Sequence, residues 1–413
     1  MPNTAGVALQ EFVPTVIALV QAGPLGIVTR WVAKIMSNNP TVIILVCGWW
    51  QLGFTADQVL ISGRIWQADR GDGRLRRAVV HGLPIDVLYF DGSSGGTTPS
   101  TPEEHDALAR LAPLQITHPG LLRRQIVHQL LLEASRRGVV TNANADYESW
   151  DAKDGLEITL RRYEQASGQV IPRPLTYCVS APQLPIIMQE LSDKGILGIV
   201  KQAKGSLGRG LRIVSPGVSP GRRLPSGRYV VQELVTDPLL VDGRKADLRC
   251  HLLIDPESRQ ASRWVPPILL QVAGCPYAPG SLDAENANPL YQRRRGYDPL
   301  VVPLPEAAVL SARLRNDIQA AVQMLSEQLI DAYFRLATDI GDDRVPRRRT
   351  FLWGFDVAVA APHHQVRVYL LDNSTRPQLY WGQAACDQAM AALIRQHHLD
   401  ALLHRHRMKD GPG

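Results

Sequence analysis

The chain has 413 residues, of which 45% are apolar and 20% charged, a composition typical of globular proteins that excludes a disordered or collagen-like chain. This length is sufficient for two or three domains. The formal net charge is +6, because 45 Lys and Arg residues face 39 Asp and Glu, and so small an excess does not indicate nucleic-acid binding by itself.

The first third of the chain predicts a small α/β domain. Residues 12–29 form an uncharged apolar run that we interpret as a buried helix. The alternative is a membrane span or signal peptide, but the run contains Pro14 and Pro24 and no basic region precedes it. Apolar runs within 39–50 and 84–96 are typical of parallel strands covered on both faces. A Gly/Ser/Thr/Pro-rich linker over 92–102 is expected to be flexible, and helical periodicity over 119–138 stops at Gly138.

Helices and strands alternate along the rest of the chain, without an internal repeat. A short strand is expected after residue 139. The later elements are predicted in this order: a helix over 153–167 ending at Gly168, a helix over 181–194, strands over 228–235 and 245–254, a long helix over 305–337, a hairpin over 350–377 and a C-terminal helix.

A glycine-rich segment, "GIVKQAKGSLGRGLRIV" at 198–214, lies between the predicted helix over 181–194 and the predicted strand over 228–235. Two apolar runs flank two lysines and three of its glycines, which indicates a hairpin whose turn covers an anion. Lys201 would end the first strand. Gly205, Gly208 and Gly210 would let backbone N–H groups approach phosphate oxygens.

The segment "GRKADLRCHLLI" carries three charges at alternate positions, Lys245, Asp247 and Arg249. In a strand these side chains share one face. Unpaired buried charge is costly, so such a face indicates a pocket, although an exposed face with cross-strand ion pairs is the alternative. The planar fork of Arg249 suits a phosphate or a carboxylate.

The hairpin over 350–377 predicts a metal site. With its tip near residues 361–365, positions whose numbers sum to about 728 pair, which sets Asp356 opposite Asp372. Two facing carboxylates on apolar strands require a cation between them. Oxygen ligands together with nucleotide phosphates suit Mg²⁺.

Taken in order, these motifs over roughly 139–380 resemble the ATP-grasp superfamily, in particular the tubulin–tyrosine-ligase-like and ribosomal-S6-modification-type carboxylate–amine ligases. "GRKADLRCHLLI" is similar to the family's "GRKxDLRxxxL". The resemblance implies an α/β (α+β) chain with four parts: an N-terminal Rossmann-like pre-ATP-grasp domain over 1–138, a central ATP-grasp subdomain with the glycine-rich loop over 139–230, a C-terminal subdomain with the metal site over 231–400, and a flexible tail over 401–413.

The resemblance also implies the site residues. Lys153, in "WDAKDGLEI", and Lys201 would bind the phosphates of ATP, although a solvated Lys153 at a helix start is the bland alternative. The strand that contains Gln232 would form a hinge against the adenine ring, and backbone groups of Glu233 to Val235 would bind the adenine edge. The implied ATP-binding set is completed by Lys204, Gly205, Ser206, Gly208 and Gly210 in the loop and by Gln232, Glu233, Leu234 and Val235 in the hinge. Lys245, Asp247 and Arg249 would be catalytic, and Asp356 and Asp372 would hold Mg²⁺.

The chain departs from the family at the metal motif, where Glu-x-Asn is replaced by Asp372, Asn373 and Ser374. A gapless match puts Ser374 in the place of the asparagine and points Asn373 to the other face. Either a bulge turns Asn373 inward or the Ser374 hydroxyl serves as a weaker ligand.

Other clusters favour ordinary explanations. The Arg runs at 293–295 and 347–349 suit an acidic peptide or nucleic acid, or a solvated surface. His397, His398, His404 and His406 suit adventitious metal binding or a solvated helix. The five cysteines are scattered without a CxxC spacing, which favours reduced thiols in a cytoplasmic protein.

We therefore predict an ATP-dependent carboxylate–amine ligase that forms an amide or peptide bond through an acyl phosphate. Its substrate would be an amino acid or a peptide, for example a precursor peptide. Neither nucleic acid nor a membrane is favoured as a partner, and a homo-oligomer remains open. The alternative is a degenerate, non-catalytic relative that binds nucleotide or peptide as a partner module, supported by the altered metal motif.

Overall fold

The structure is a computed structural model, and it describes residues 13–22, 25–91, 98–114, 122–142, 150, 152–203, 211–215, 226–339, 349–361, 365–374, 379, 381 and 383–408. Its internal contacts divide the chain into two units. Unit 1 comprises Met1–Ala143 and Leu399–Gly413, and unit 2 comprises Asn144–His398.

Unit 1 contains one seven-stranded mixed sheet with helices. Its strands are β1 (Thr15–Gln21), β2 (Val42–Gly48), β3 (Leu52–Phe54), β4 (Val59–Ala68), β5 (Leu75–Pro84), β6 (Val87–Tyr89) and β7 (Val140–Thr141). The strand order is β3-β4-β2-β1-β6-β7, with β5 paired to β4. Its helices are α1 (Ile27–Met36), α2 (Pro102–Leu111), α3 (Arg123–Arg136) and a C-terminal helix (Asp400–Arg407).

The prediction of a buried helix over residues 12–29 was wrong. Thr15–Gln21 is strand β1, which pairs in parallel with both β2 and β6. A short, fully buried apolar run has the same sequence pattern in a helix and in a central strand, so only its neighbours distinguish the two. The antiparallel strands β3 to β5 had no counterpart in the prediction, whereas the strands within 39–50 and 84–96 and the helix before Gly138 are confirmed. The greater part of the linker over 92–102 lies outside the described residues.

Unit 2 contains a four-stranded and a six-stranded sheet. The smaller sheet has the order β10-β9-β11-β8 and consists of β8 (Thr176–Ser180), β9 (Gly198–Gln202), β10 (Arg212–Val214) and β11 (Arg228–Glu233). The larger sheet has the order β15-β14-β13-β16-β17, with β12 paired to β13. Its strands are β12 (Leu240–Val241), β13 (Arg244–Ile254), β14 (Arg263–Val272), β15 (Leu300–Pro303), β16 (Phe351–Ala360) and β17 (Arg367–Ser374).

Six helices complete unit 2 in the described residues. They are α4 (Lys153–Ser167), α5 (Leu184–Asp193), α6 (Leu282–Glu285), α7 (Pro289–Arg294), α8 (Ala312–Asp339) and α9 (Ala384–Leu393), and a π-helical turn, Ile394–Leu399, follows α9. Helix α4 ends at Gly168, whose φ of +70° is the left-handed conformation that closes many helices. The core lies between α4, α8 and one face of the larger sheet.

Two element boundaries differ from the prediction. The long helix begins at Ala312 instead of 305, because the Ser311 hydroxyl accepts a hydrogen bond from the Leu314 N–H and caps the first turn. The predicted flexible tail over 401–413 is helical as far as Arg407, since Leu402 and Leu403 are buried. Residues 409–413 lie outside the described residues. Within the part of the chain that is described, no helix is long and apolar enough to cross a membrane.

Candidate active site

Strand β13 carries the predicted row of charges. Lys245 and Arg249 are 4% and 9% exposed, and Lys245 Nζ lies 3.8 Å from Asp247 Oδ2. The intervening side chains, Ala246 and Leu248, are fully buried in the hydrophobic core. The alternation of a strand therefore separates a charged face from a core face, as the sequence predicts.

Arg249 forms a two-pronged ion pair with Asp356 on the neighbouring strand β16. The two residues are directly opposite in the register, and Arg249 Nε and Nη2 lie 2.6 and 2.9 Å from Asp356 Oδ1 and Oδ2. Burial and the negative charge of Asp372 raise the pKa of Asp356 despite the guanidinium. This pair places the predicted catalytic arginine on a predicted metal ligand.

The predicted pairing of the two carboxylates is confirmed: Asp356 lies opposite Asp372 in the β16–β17 register. Asp372 Oδ2 lies 3.1 Å from Lys153 Nζ, at the first residue of helix α4. Burial alone would raise the pKa of Asp372, but the positive charges of Lys153 and Lys201 outweigh burial and hold it below its usual value.

The β-bulge in this hairpin falls before the metal motif. Asp356 pairs with Asp372 and Val357 pairs with Leu370, so Leu371 is the extra residue. Asn373 then lies opposite the core residue Phe355, and its side-chain amide donates a hydrogen bond to the Trp150 carbonyl. Thus Asn373 is not brought to the carboxylates, whereas Ser374, two residues after Asp372, shares their face by alternation.

Lys201 is the penultimate residue of strand β9, and its side chain reaches the same hairpin. Its Nζ donates to Gln232 Oε1 at 2.7 Å and approaches the Leu371 carbonyl at 3.4 Å. Burial lowers the pKa of Lys201 to about 8. The Lys153 N–H donates to the Ala203 carbonyl at 3.0 Å, which ties the start of α4 to the end of β9 and brings the two lysines into one site.

A cavity of about 910 Å³ adjoins the predicted hinge. Glu233, Leu234 and Val235 line it, with apolar residues that include Leu197 and Leu239. The N–H groups of Glu233 and Leu234 already donate to the Leu175 and Leu197 carbonyls, each at 2.9 Å. Among the backbone hydrogen bonds of the described residues, none uses the Val235 N–H, which lies at the edge of this cavity. The Gln232 side chain is held by Lys201 and Thr176.

Sequence reasoning missed Glu285, the counter-charge of Lys245. Lys245 Nζ donates to the Glu285 carbonyl at 2.8 Å and lies 3.3 Å from its Oε2, while Tyr277 OH donates to Oε1 at 3.2 Å. Glu285 is on the four-residue helix α6 and also lines the cavity. A buried lysine needs an acidic partner, but no motif marks which acid supplies it.

The glycine-rich loop and the Arg and His clusters are the other regions that the sequence singled out. Lys204, Gly205, Ser206, Gly208 and Gly210 lie outside the described residues. Arg349, from the second Arg run, is 1% exposed and so cannot present a basic surface, and Arg347 and Arg348 also lie outside the described residues. His398 is 1% exposed and its Nε2 lies 3.1 Å from the Thr350 carbonyl, which contradicts a solvated position for this residue.

The donors at the hairpin fit a magnesium ion that is shared with phosphates. In the described part of the chain no three His, Cys, Asp or Glu side chains gather around one point, so the protein offers the pair Asp356 and Asp372. Mg²⁺ is commonly held by one or two carboxylates, with waters and substrate phosphates as its other ligands. Two facing carboxylates, a quarter exposed each, meet that requirement.

Comparison with known proteins agrees with the resemblance predicted from the sequence. Residues 159–283 match the model of the tubulin-tyrosine ligase family, a family of carboxylate–amine ligases. The matched segment includes Lys201, the hinge and the charged face of β13, and it ends before Asp356 and Asp372. A search of the curated proteins finds no match.

Proposed function

We propose, from the similarity of residues 159–283 to carboxylate–amine ligases, that this protein is an ADP-forming ATP-grasp ligase. Unit 2 would have the ATP-grasp fold, and unit 1 would be a Rossmann-like pre-ATP-grasp domain. The observation that carries the proposal is that Lys153, Lys201 and Arg249, from three separate elements, converge on the hairpin that carries Asp356 and Asp372. The substrates are a carboxylate and an amine from amino acids or peptides.

The nucleotide would lie between the two sheets of unit 2. Its adenine would occupy the hinge cavity, where the Val235 N–H, which has no backbone acceptor among the described residues, is a donor and Leu197, Leu234 and Leu239 provide apolar walls. Lys153 and Lys201 bind its phosphates as point charges. Their present partners, Asp372 and Gln232, hold both ammonium groups in place before ATP binds.

Asp356 and Asp372 would hold Mg²⁺, with Ser374 as a further oxygen on the same face. The ion would neutralise the charge of the transferred phosphate. Within the chain itself, the two carboxylates contribute by their fixed spacing, because the antiparallel register sets them opposite each other.

Arg249, Lys245 and Asp247 would act on the reacting groups. In this proposal ATP phosphorylates the substrate carboxylate, and an amine attacks the resulting acyl phosphate, forming the amide and releasing phosphate. The Arg249 fork stabilises the transferred phosphate and the carboxylate, and Lys245, held by Glu285, adds a second positive charge.

Asp247 is suited to proton transfer in this reaction. Burial raises its pKa to about 6, and its Oδ1 is buried and accepts no hydrogen bond in the described structure. A carboxylate with these properties can accept a proton from an attacking amine near neutral pH.

ADP release tests the proposal. Purified protein with Mg²⁺ and ATP is incubated with pooled amino acids and peptides that supply carboxylates and amines. A ligase releases ADP and phosphate in equal amounts when both pools are present. A protein that binds Mg-ATP but never releases ADP with any pool contradicts the ligase.

The second candidate is a non-catalytic relative that binds nucleotide or peptide. Two observations favour it: Asn373 faces the core, and both carboxylates are already paired with cations. Mg-ATP binding without ADP release is its expected signature.

A further inference from the structure

The ion pair between Arg249 and Asp356 joins the proposed anion-binding residue to a proposed metal ligand. Both oxygens of Asp356 accept hydrogen bonds from the guanidinium, at 2.6 and 2.9 Å, and the Arg249 side chain is 11% exposed. In the proposed function, Asp356 binds the metal and Arg249 binds the substrate anion. While the pair remains in this geometry, the charge of each group is directed to the other and not to that role.

Electrostatics makes the two cations competitors for one carboxylate. A magnesium ion lies about 2.1 Å from its oxygen ligands, so a cation on Asp356 would be only about 4 Å from the guanidinium. At that separation, in a site that is largely removed from water, a divalent ion and Arg249 repel each other strongly. One carboxylate charge cannot compensate both.

The positive and negative charges of the described site are equal in number. Among the described residues, four cations, Lys153, Lys201, Lys245 and Arg249, face four acids, Asp247, Asp356, Asp372 and Glu285. The formal charges of these eight side chains cancel. A cation added at Asp356 would therefore leave positive charge uncompensated unless an internal cation moved away.

We propose that Arg249 is the resting counter-ion of Asp356, and that metal binding displaces its guanidinium and makes it available to the anionic group of the carboxylate substrate. This inference rests on the proposed function. It gives the proposed reaction an order, because the metal prepares the site for the carboxylate. By linkage, an anion bound to Arg249 must also strengthen metal binding.

The first experiment measures equilibrium binding of Mn²⁺, used as a spectroscopic substitute for Mg²⁺, by electron paramagnetic resonance without nucleotide at pH 8. Arg249→Met should tighten Mn²⁺ binding by about tenfold or more, because the competing charge is gone. Arg249→Lys, which keeps the charge but loses one prong, should tighten it less.

Arg295→Met is the matched control. Arg295 forms a similar two-pronged pair with Asp283, at 3.1 and 3.2 Å, and its side chain is 58% exposed. This variant removes the same charge from unit 2 and should leave Mn²⁺ affinity unchanged. Equal effects of Arg249→Met and Arg295→Met would overturn the competition.

The second experiment changes the acid of the pair, and its main measurement does not need the Arg249→Met variant to fold. Asp356→Asn frees Arg249, so inorganic pyrophosphate without metal should bind about tenfold more tightly, as measured by calorimetry. Asp283→Asn, which frees Arg295, is the control. The gain should disappear in the Asp356→Asn/Arg249→Met double variant.

These measurements separate the inference from the ligase itself, since they use no turnover. If Arg249→Met binds Mn²⁺ more tightly but the wild type releases no ADP, the competition is retained and the ligase is rejected. ADP release together with unchanged Mn²⁺ and pyrophosphate affinities would retain the ligase and reject the competition.

Discussion

Lys201 is the residue on which the proposed phosphate binding most depends. It lies at the end of β9 between Gln232 and the Leu371 carbonyl, and its burial lowers its pKa to about 8. A polyphosphate would compensate the charge that the protein leaves only partly balanced. Its ammonium is therefore expected to contribute to binding more than to folding.

We predict that Lys201→Ala abolishes the rise in thermal midpoint that ATP produces in the wild type, with little change in the midpoint without ATP. Bound ligand stabilises only the native state, so the shift reports affinity. Lys194→Ala is the control, because Lys194 is an exposed lysine seven positions away that pairs with Glu190. An unchanged ATP shift in Lys201→Ala would remove this lysine from the phosphate site.

Arg249 separates a ligase from a binding protein. Arg249→Lys keeps the charge but loses the planar fork, so ATP affinity should persist while ADP release falls by about a hundredfold or more. Arg259→Lys, at an exposed arginine that pairs with the buried Asp331, should leave ADP release unchanged. If ADP release is unchanged in Arg249→Lys, the protein is still a ligase, but Arg249 does not have the proposed role.

At the scale of elements, the β16–β17 hairpin carries the two acids of the proposed metal site. Its register places Asp356 opposite Asp372, and the bulge at Leu371 lies outside the paired segment that contains both acids. The same register directs Asn373 to the core, where it contacts the Trp150 carbonyl. The hairpin therefore supplies two carboxylates instead of a carboxylate–amide set.

We predict that Asp356→Asn and Asp372→Asn each weaken Mg²⁺-dependent ATP binding by about tenfold or more, and that the double variant is little worse than either single variant. One shared ion is lost only once, so the effects should not add. Calorimetry with and without Mg²⁺ measures this, and Asp283→Asn is the control for charge. Additive losses would mean that the two acids do not share an ion.

At the scale of the whole molecule, buried histidines tie the stability of unit 2 to pH. Burial lowers the pKa of His398 to about 4, from a usual value near 6.5. Between these values the unfolded chain binds a proton that the folded chain does not. The stability from neutral His398 is thus present above about pH 6.5 and is lost as the pH falls through 4.

His398→Gln should reduce this acid sensitivity. The loss in free energy of unfolding between pH 7.5 and 4.5 should be smaller than in the wild type by about 2 kcal/mol. Urea titrations followed by tryptophan fluorescence at both pH values measure this difference. His404→Gln, at an exposed position, should lose as much free energy of unfolding over this pH range as the wild type. The prediction fails if His398→Gln and the wild type lose the same amount.

The amino-acid sequence by itself determined the features that depend on local periodicity. Alternation along β13 places Lys245, Asp247 and Arg249 on one face, and hairpin symmetry pairs Asp356 with Asp372. The helix that ends at Gly168 and the strands on both sides of the glycine-rich loop follow from the same short-range patterns. These features need information only from residues that are near in sequence.

Which oppositely charged groups meet depends on long-range packing, and the sequence did not predict it. Arg249 and Asp356 are 107 positions apart, and the partners of Lys153 and Lys245, Asp372 and Glu285, are also distant in sequence. The same holds for β1, whose apolar run is a strand because β2 and β6 flank it. Strand order and long-range ion pairs depend on the packing of the whole unit, and a local pattern carries no record of that packing.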